Sequence, residues 1–239
     1  MFFEEHAKLL SDFARVSQAV GARADYVQGG GGNTSVKLSG GLMAIKASGF
    51  CLSDIRPDKA YAVLDGADLR NFYLTTEPSE LADVEKEGSA RAKADIRHID
   101  GLADLRPSVE AGFHSILKTF VVHTHSVYAN LAACSTACRP IAAQAFAGAG
   151  YTWGWVPYTD PGANLTFAIR DELRRVEKET GKAPSVILMQ NHGIIVHDDD
   201  PDAALAIHTD ANERLAHMFG LTGTSFPKVA VREMAAGIY

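Results

Sequence analysis

The segment SVILMQNHGIIVH, residues 185–197, limits the fold more than any other stretch. Two apolar runs, VILM and GIIV, flank a polar turn at Asn191–Gly193. They are too short for helices and bounded by turn residues, so they read as two buried strands about a tight turn. FVVH at residues 120–123 is a third buried strand. SVKL and LMAIKA flank SGG as a hairpin, and YAVLD is a further short strand.

Helical patterns fall between these strands. Residues 4–20 have apolar positions at helical spacing and stop at Gly21, a natural C-cap. Ser108 is placed to cap a helix running VEAGFHSILKT, and another helix passes through YANLAACS. Residues 164–180 are amphipathic and end at Gly181. A last helix follows Asp200 as cap, with Pro201 at its first position. Helices and strands alternate, but the hairpins argue against a purely parallel sheet, which predicts a layered mixed α/β domain. Residues 69–105 are polar and mixed, either a surface excursion or a helix plus loops.

No Gly/Ser-rich or Pro-rich linker divides the 239 residues, so a single domain over 1–239 is expected. The hydrophobic share of 46% suffices for a substantial core. A net charge of −6 argues against nucleic acid as a partner, while a small anionic substrate stays compatible, because local charge decides. Three cysteines cannot all pair, which favours a reducing compartment. Cys134 and Cys138 read as small buried apolar residues rather than a metal pair, since no second pair completes a structural zinc site. The opening MFFEEHAKLL lacks the layout of a secretory signal, and no apolar run approaches the roughly 18 residues of a membrane span. A cytoplasmic protein without a membrane partner is expected.

The chemistry concentrates in a few places. His123 and His125 sit at alternate positions past an apolar strand, where side chains share a face. They either chelate one ion or decorate the strand. His192 lies in the QNHG turn, where a sheet presents side chains to a cleft; the alternative is a surface turn histidine. Three histidines would leave zinc an open fourth position, the catalytic arrangement. Glu110 begins the helix before the histidine strand and is either an acid/base or a carboxylate favoured by the helix dipole. His114 shares the face of Glu110 and either orients it or fills the core. The stretch GGGGNTSVK could cradle a phosphate on backbone N–H groups, with Asn33, Thr34 and Ser35 helping, or be a flexible turn. It is neither a Walker loop nor a dinucleotide fingerprint. Lys46 and Ser48–Gly49 return along the hairpin toward the same place.

The ordered set GGGNTSVK, IKASG, PSVEAGFH, VVHTHS, VPYTDPG and QNHGIIVH resembles the class II aldolase/adducin family, over roughly residues 5–220. Within it the chain is similar to zinc-dependent sugar-phosphate aldolases, with the PSVE and HTH forms nearest the aldolase module of rhamnulose-phosphate aldolase/dehydrogenase proteins. The resemblance implies a three-layer α/β/α sandwich about a central mixed, largely antiparallel sheet, nine-stranded in type. It implies His123, His125 and His192 as ligands of Zn2+, with another divalent transition metal possible in such a site. It implies Glu110 as general acid/base, and Asn33, Ser48, Gly49 and Ser108 as the phosphate seat. The implied reaction cleaves a ketose 1-phosphate of rhamnulose or fuculose type to dihydroxyacetone phosphate and an aldehyde by an enediolate mechanism. The implied assembly is a homotetramer.

Departures from the family pattern are visible. Val109 stands where fuculose-phosphate aldolases have a second serine, and Lys46 is a candidate to compensate. No clear equivalent of the family's tyrosine follows the histidine pair, leaving Tyr151 and Tyr158 as candidates. The stretch from Gly49 to Ser108 is longer than in compact members, and Tyr239 ends a tail that could close the site. Rival readings are a 3-oxo sugar-acid phosphate decarboxylase and a pentulose-phosphate 4-epimerase, which typically has Asp at the place of Glu110. A more distant one is an adducin-like non-catalytic module, whose members lose the histidines kept here.

Overall fold

The computed structural model describes residues 1–221; Tyr239 lies outside them. The helix expected over 4–20 is two: α1 (Phe2–Glu5) and α2 (Ala7–Gly21), broken at His6. The His6 ring is buried and meets Phe2 edge-on at 4.8 Å, which anchors the break. The hairpin forms as read, from β1 (Asn33–Lys37) and β2 (Leu42–Lys46), with Val36 opposite Ala44. β3 (Tyr61–Asp65) extends it.

The stretch left open in the sequence folds into α3 (Gly66–Thr75), α4 (Val84–Ala94) and a two-residue strand β4 (Ile96–Arg97). Next come α5 (Ala111–Ile116), β5 (Phe120–Thr124), α6 (Val127–Ala133) and α7 (Cys138–Ala145). β6 (Trp153–Val156), α8 (Ala163–Thr180), β7 (Val186–Met189), β8 (Gly193–Asp198) and α9 (Pro201–Met218) complete the described chain. Asp200 caps α9 by accepting from the N–H groups of Asp202 and Ala203, worth about 1 kcal/mol.

α5 is shorter than its sequence suggests. Glu110, not Ser108, is its N-cap, and no side chain caps it. It stops at Ile116 because Thr119 and Phe120 are drawn into the sheet: Lys37 N donates to Thr119 O at 3.0 Å and Phe120 pairs with Asp198.

The strand order is β4-β3-β2-β1-β5-β8-β7-β6, eight strands among the described residues where the resemblance implied nine. All pairs are antiparallel except β6–β7. Alternation along the strands divides the core. Val36, Val122 and Val196 pack under α2, α6, α7 and α9; Ile45, Val121 and Ile195 pack under α3, α5 and α8. Three layers result, because the central strands are apolar on both faces. Truncating one of these fully buried side chains to Ala would cost roughly 2–5 kcal/mol.

Candidate metal centre

The pairing register brings the candidate residues to one end of the sheet. Asn33 at the start of β1 pairs with His123 near the end of β5, and Thr124 pairs with Ile194 beside the β7–β8 turn. His125 lies just past the last residue of β5, and His192 sits in the turn. The three rings have centroids 4.9, 4.9 and 5.2 Å apart. One nitrogen from each falls in a cluster whose members all lie within 4.8 Å of one another.

Backbone geometry makes this approach possible. A Cβ on Gly193 would stand 2.3 Å from Thr124 O, so only glycine lets the turn close on β5. At Gly32 φ is +67° and a Cβ would stand 2.6 Å from His123 O. A Cβ on Gly31 would stand 3.0 Å from His125 Nδ1. The glycine run read as a possible phosphate cradle thus packs its last two glycines against the histidines.

The ring chemistry suits a cation. His123 Nδ1 lies 3.0 Å from the Ile194 carbonyl, which can only accept, so Nδ1 carries the proton and Nε2 is a lone pair. That lone pair faces His125 Nε2 at 3.1 Å. A backbone carbonyl on the distal nitrogen is the usual support of a metal-ligating histidine. Burial holds His123 down to about 3 and lowers His125 as well, so both are neutral and free to coordinate at neutral pH. Glu110 Oε1 is buried without a hydrogen-bond partner, 3.2 Å from His192 Nε2, and Oε2 is 3.5 Å from His123 Nε2. An orphaned carboxylate oxygen beside converging imidazoles fits a divalent cation.

Burial alone would raise the Glu110 carboxyl. His123, His192 and the Asn33 amide outweigh it and hold the group well below the usual carboxylate range. Asn33 Nδ2 donates to Glu110 Oε2 at 2.6 Å and to Ser108 Oγ at 3.0 Å. His114, fully buried, bonds to Asn33 Oδ1 through Nε2 and to Ser35 Oγ through Nδ1 at 2.7 Å. His114 thus fills the core as one reading had it, while its ring bonds not Glu110 but Asn33, whose amide it orients. The Asn33–Glu110 bond spans 77 positions, and no local pattern announces it.

The remaining phosphate candidates stand alongside. Ser48 N donates to Arg106 O and Ser108 N to Lys46 O, pairing residues 46–48 with 106–108. Ser48 and Gly49 are exposed, and the Ser48 hydroxyl donates to Pro107 O at 3.0 Å. Lys46, buried, spends two donors on Gly30 O and Phe50 O, tying the glycine run to the turn after β2. The Tyr151 hydroxyl donates to Asp210 and the Tyr158 hydroxyl to Asp160. Cys138 is buried, its thiol pushed up to about 12 by burial, whereas Cys134 is exposed, against the buried reading. Neither joins the metal-competent cluster among the described residues.

One support went unread in the sequence. Thr124 Oγ1 meets His208 Nε2 at 2.8 Å, and Ser126 Oγ donates to Asn212 Oδ1, so α9 pins both sides of His125. The available signal was His208 and Asn212 on one helical stripe between Ala204 and Leu215.

Residues 11–219 match the family described as the class II aldolase and adducin N-terminal domain. No curated protein matches the chain in sequence. Among solved structures, the chain is similar to the N-terminal class II aldolase domain of a conserved protein from Thermoplasma acidophilum, with TM-score 0.70 and 20% identity over 87% of this chain and 92% of that one. It is similar to YgbL from Escherichia coli, for which aldolase, epimerase and decarboxylase all stand open, with TM-score 0.61 and 19% identity over 96% and 95%. It is similar to an L-fuculose 1-phosphate aldolase, with TM-score 0.54 and 18% identity over 93% and 92%. At these identities the likeness shows the fold.

Proposed function

We propose that this chain, which belongs to the class II aldolase and adducin family, is a metal-dependent lyase that cleaves a ketose 1-phosphate to dihydroxyacetone phosphate and an aldehyde. One observation carries the reading: three histidine donors converge within 4.8 Å, with an ionised, partly orphaned carboxylate against them. His123, His125 and His192 would hold the metal, zinc by the resemblance. When bound, it would polarise the ketose carbonyl as a Lewis acid and stabilise negative charge on that oxygen.

The chain's own residues do the rest. Cleavage breaks the C–C bond and moves one proton from the ketose hydroxyl that becomes the aldehyde oxygen to the carbon released in dihydroxyacetone phosphate. Glu110, beside the ligand atoms, delivers that proton to the carbon and takes it back in the reverse direction. Asn33 holds Oε2 of Glu110 and leaves Oε1 for that proton. His114 keeps the Asn33 amide in the donating orientation. Ser108, with Ser48 and Gly49 across the 46–48/106–108 pairing, seats the phosphate. Assembly as a homo-oligomer, a tetramer by the resemblance, completes the reading and is tested by light scattering.

Deuterium exchange into dihydroxyacetone phosphate in heavy water, with and without chelator, tests the chemistry without knowledge of the aldehyde. Chelator-sensitive exchange is expected. No exchange by protein with metal demonstrably bound would refute the aldolase reading in favour of the decarboxylase or epimerase.

A further inference from the structure

The end of the sheet away from the histidines holds a cavity of about 640 Å3, between α3, the α5–β5 connection and α8. Lys37, Arg70, Arg174 and His197 line it. Lys37 Nζ donates to His114 O, and Arg70 Nη1 donates to Ser115 O at 3.2 Å and Ile116 O at 2.6 Å. Neither forms an ion pair among the described residues. Their partners are the last carbonyls of α5, which supply only partial negative charge. Burial, and the Arg70 charge beside it, lower the lysine well below its ordinary range, so the fixed positive charge at the cavity comes from the arginines. Arg174 has its nearest carboxylate, Asp171, at 3.8 Å.

Local carboxylates offset this only in part, with Asp199 and Glu177 lining the cavity against Arg70, Arg170 and Arg174. Asp198 is paired with Lys118 at 2.9 Å, and Asp199 accepts from Thr119 N and Oγ1. Glu177, which also lines the cavity, is exposed. His197 is 3% exposed, with the Pro184 carbonyl as backbone acceptor for its ring and no other hydrogen-bond partner. A ring nitrogen without a partner at a cavity wall is costly unless something that enters the cavity satisfies it. All this occurs in a chain with net charge −6, so the cationic excess is local.

We propose that this cavity binds a small oxyanion carrying two or more negative charges, such as a phosphate group. Arg70 supplies its remaining planar donors and Arg174 a second guanidinium, which suit bidentate contact with phosphate, and Lys37 adds N–H donors at the wall. The site is separate from the histidine centre and does not rest on the proposed reaction.

Calorimetric titration of metal-loaded protein with inorganic phosphate tests it. A binding event is expected that survives Ser108→Ala, a change at the other end of the sheet. Arg70→Ala should weaken that event about tenfold or more, the loss typical of a charge-assisted contact. Arg70 also holds α5 carbonyls, so Arg174→Ala, a change at a half-exposed side chain, is the second variant and should weaken it severalfold while leaving chelator-sensitive exchange intact. Melting curves report whether each variant folds. Loss of all phosphate binding in Ser108→Ala, or wild-type affinity in every folded variant of Arg70 and Arg174, would overturn the proposal.

Discussion

At the Asn33 end of β1 the buried polar groups gather acceptors around one point: ring lone pairs and a carboxylate oxygen. At the Lys37 end of the same strand they gather donors: a lysine side chain and a guanidinium, with the His197 ring in the wall. α5 lies across both, with the His114 ring bonded toward the first and the His114 carbonyl toward the second. The two ends of one strand thus carry opposite electrostatic preferences, set by a few side chains. The apolar middle of the sheet, with Val121, Val122 and Ile195 fully buried, fixes the geometry at both ends but selects neither ligand.

The sharpest break of this contrast is His123→Ala. It should remove stoichiometric metal and all exchange activity, and elemental analysis showing one metal per chain in the variant would sink the ligand assignment. Glu110→Gln should keep the metal and lower exchange by about 10²–10⁴, the range for a lost acid/base. Exchange at the wild-type rate would remove Glu110 from that role.

Acid should act through the buried histidines. Burial holds His123, His197 and His208 at about 3, whereas unfolded histidine titrates near 6.5. The folded values are depressed, so the unfolded chain takes protons first. Stability is full above about pH 6.5 and falls as pH drops toward 3, by about 4 kcal/mol per pH unit for three such groups at order of magnitude. Urea melts of chelator-stripped protein at pH 7 and 5.5 check this, and equal midpoints would refute it.

The smallest effect concerns the link across α5. His114→Phe and Asn33→Ala should each reduce exchange roughly 10–100-fold with metal retained, as expected for groups that orient a reacting residue. The double variant should lose no more than either single one, because both act through one bond to Glu110. Additive losses would mean that His114 serves the core alone.

The sequence made the histidine end legible because its marks are local. HTH follows an apolar strand, and QNHG interrupts two others. The supporting bonds were not legible, since Asn33, Glu110 and His114 meet only through the β1–β5 register. α3 and α4 escaped because they bury few side chains, Gly66, Leu69 and Tyr73 in one and Gly88 in the other, leaving little periodicity to read. β6 escaped because WGWV carries a glycine mid-strand, where a Cβ would press on Glu172. The extent of α5 was overestimated because helical spacing continues past Ile116, while tertiary pairing of Thr119 and Phe120 decides the boundary.

The pairing of Asn33 with His123 has a consequence for how the molecule comes into being. Closing a loop of that span costs about 4 kcal/mol of chain entropy before any contact repays it. A growing polypeptide that has emerged only through His125 lacks the QNHG turn, and so lacks its third imidazole. On the proposed ligand set, an ion would meet all three imidazoles only after β8 has joined β5, late in synthesis. Metal supply would then act on the finished molecule by mass action, drawing the population toward the native state in proportion to free ion over its dissociation constant.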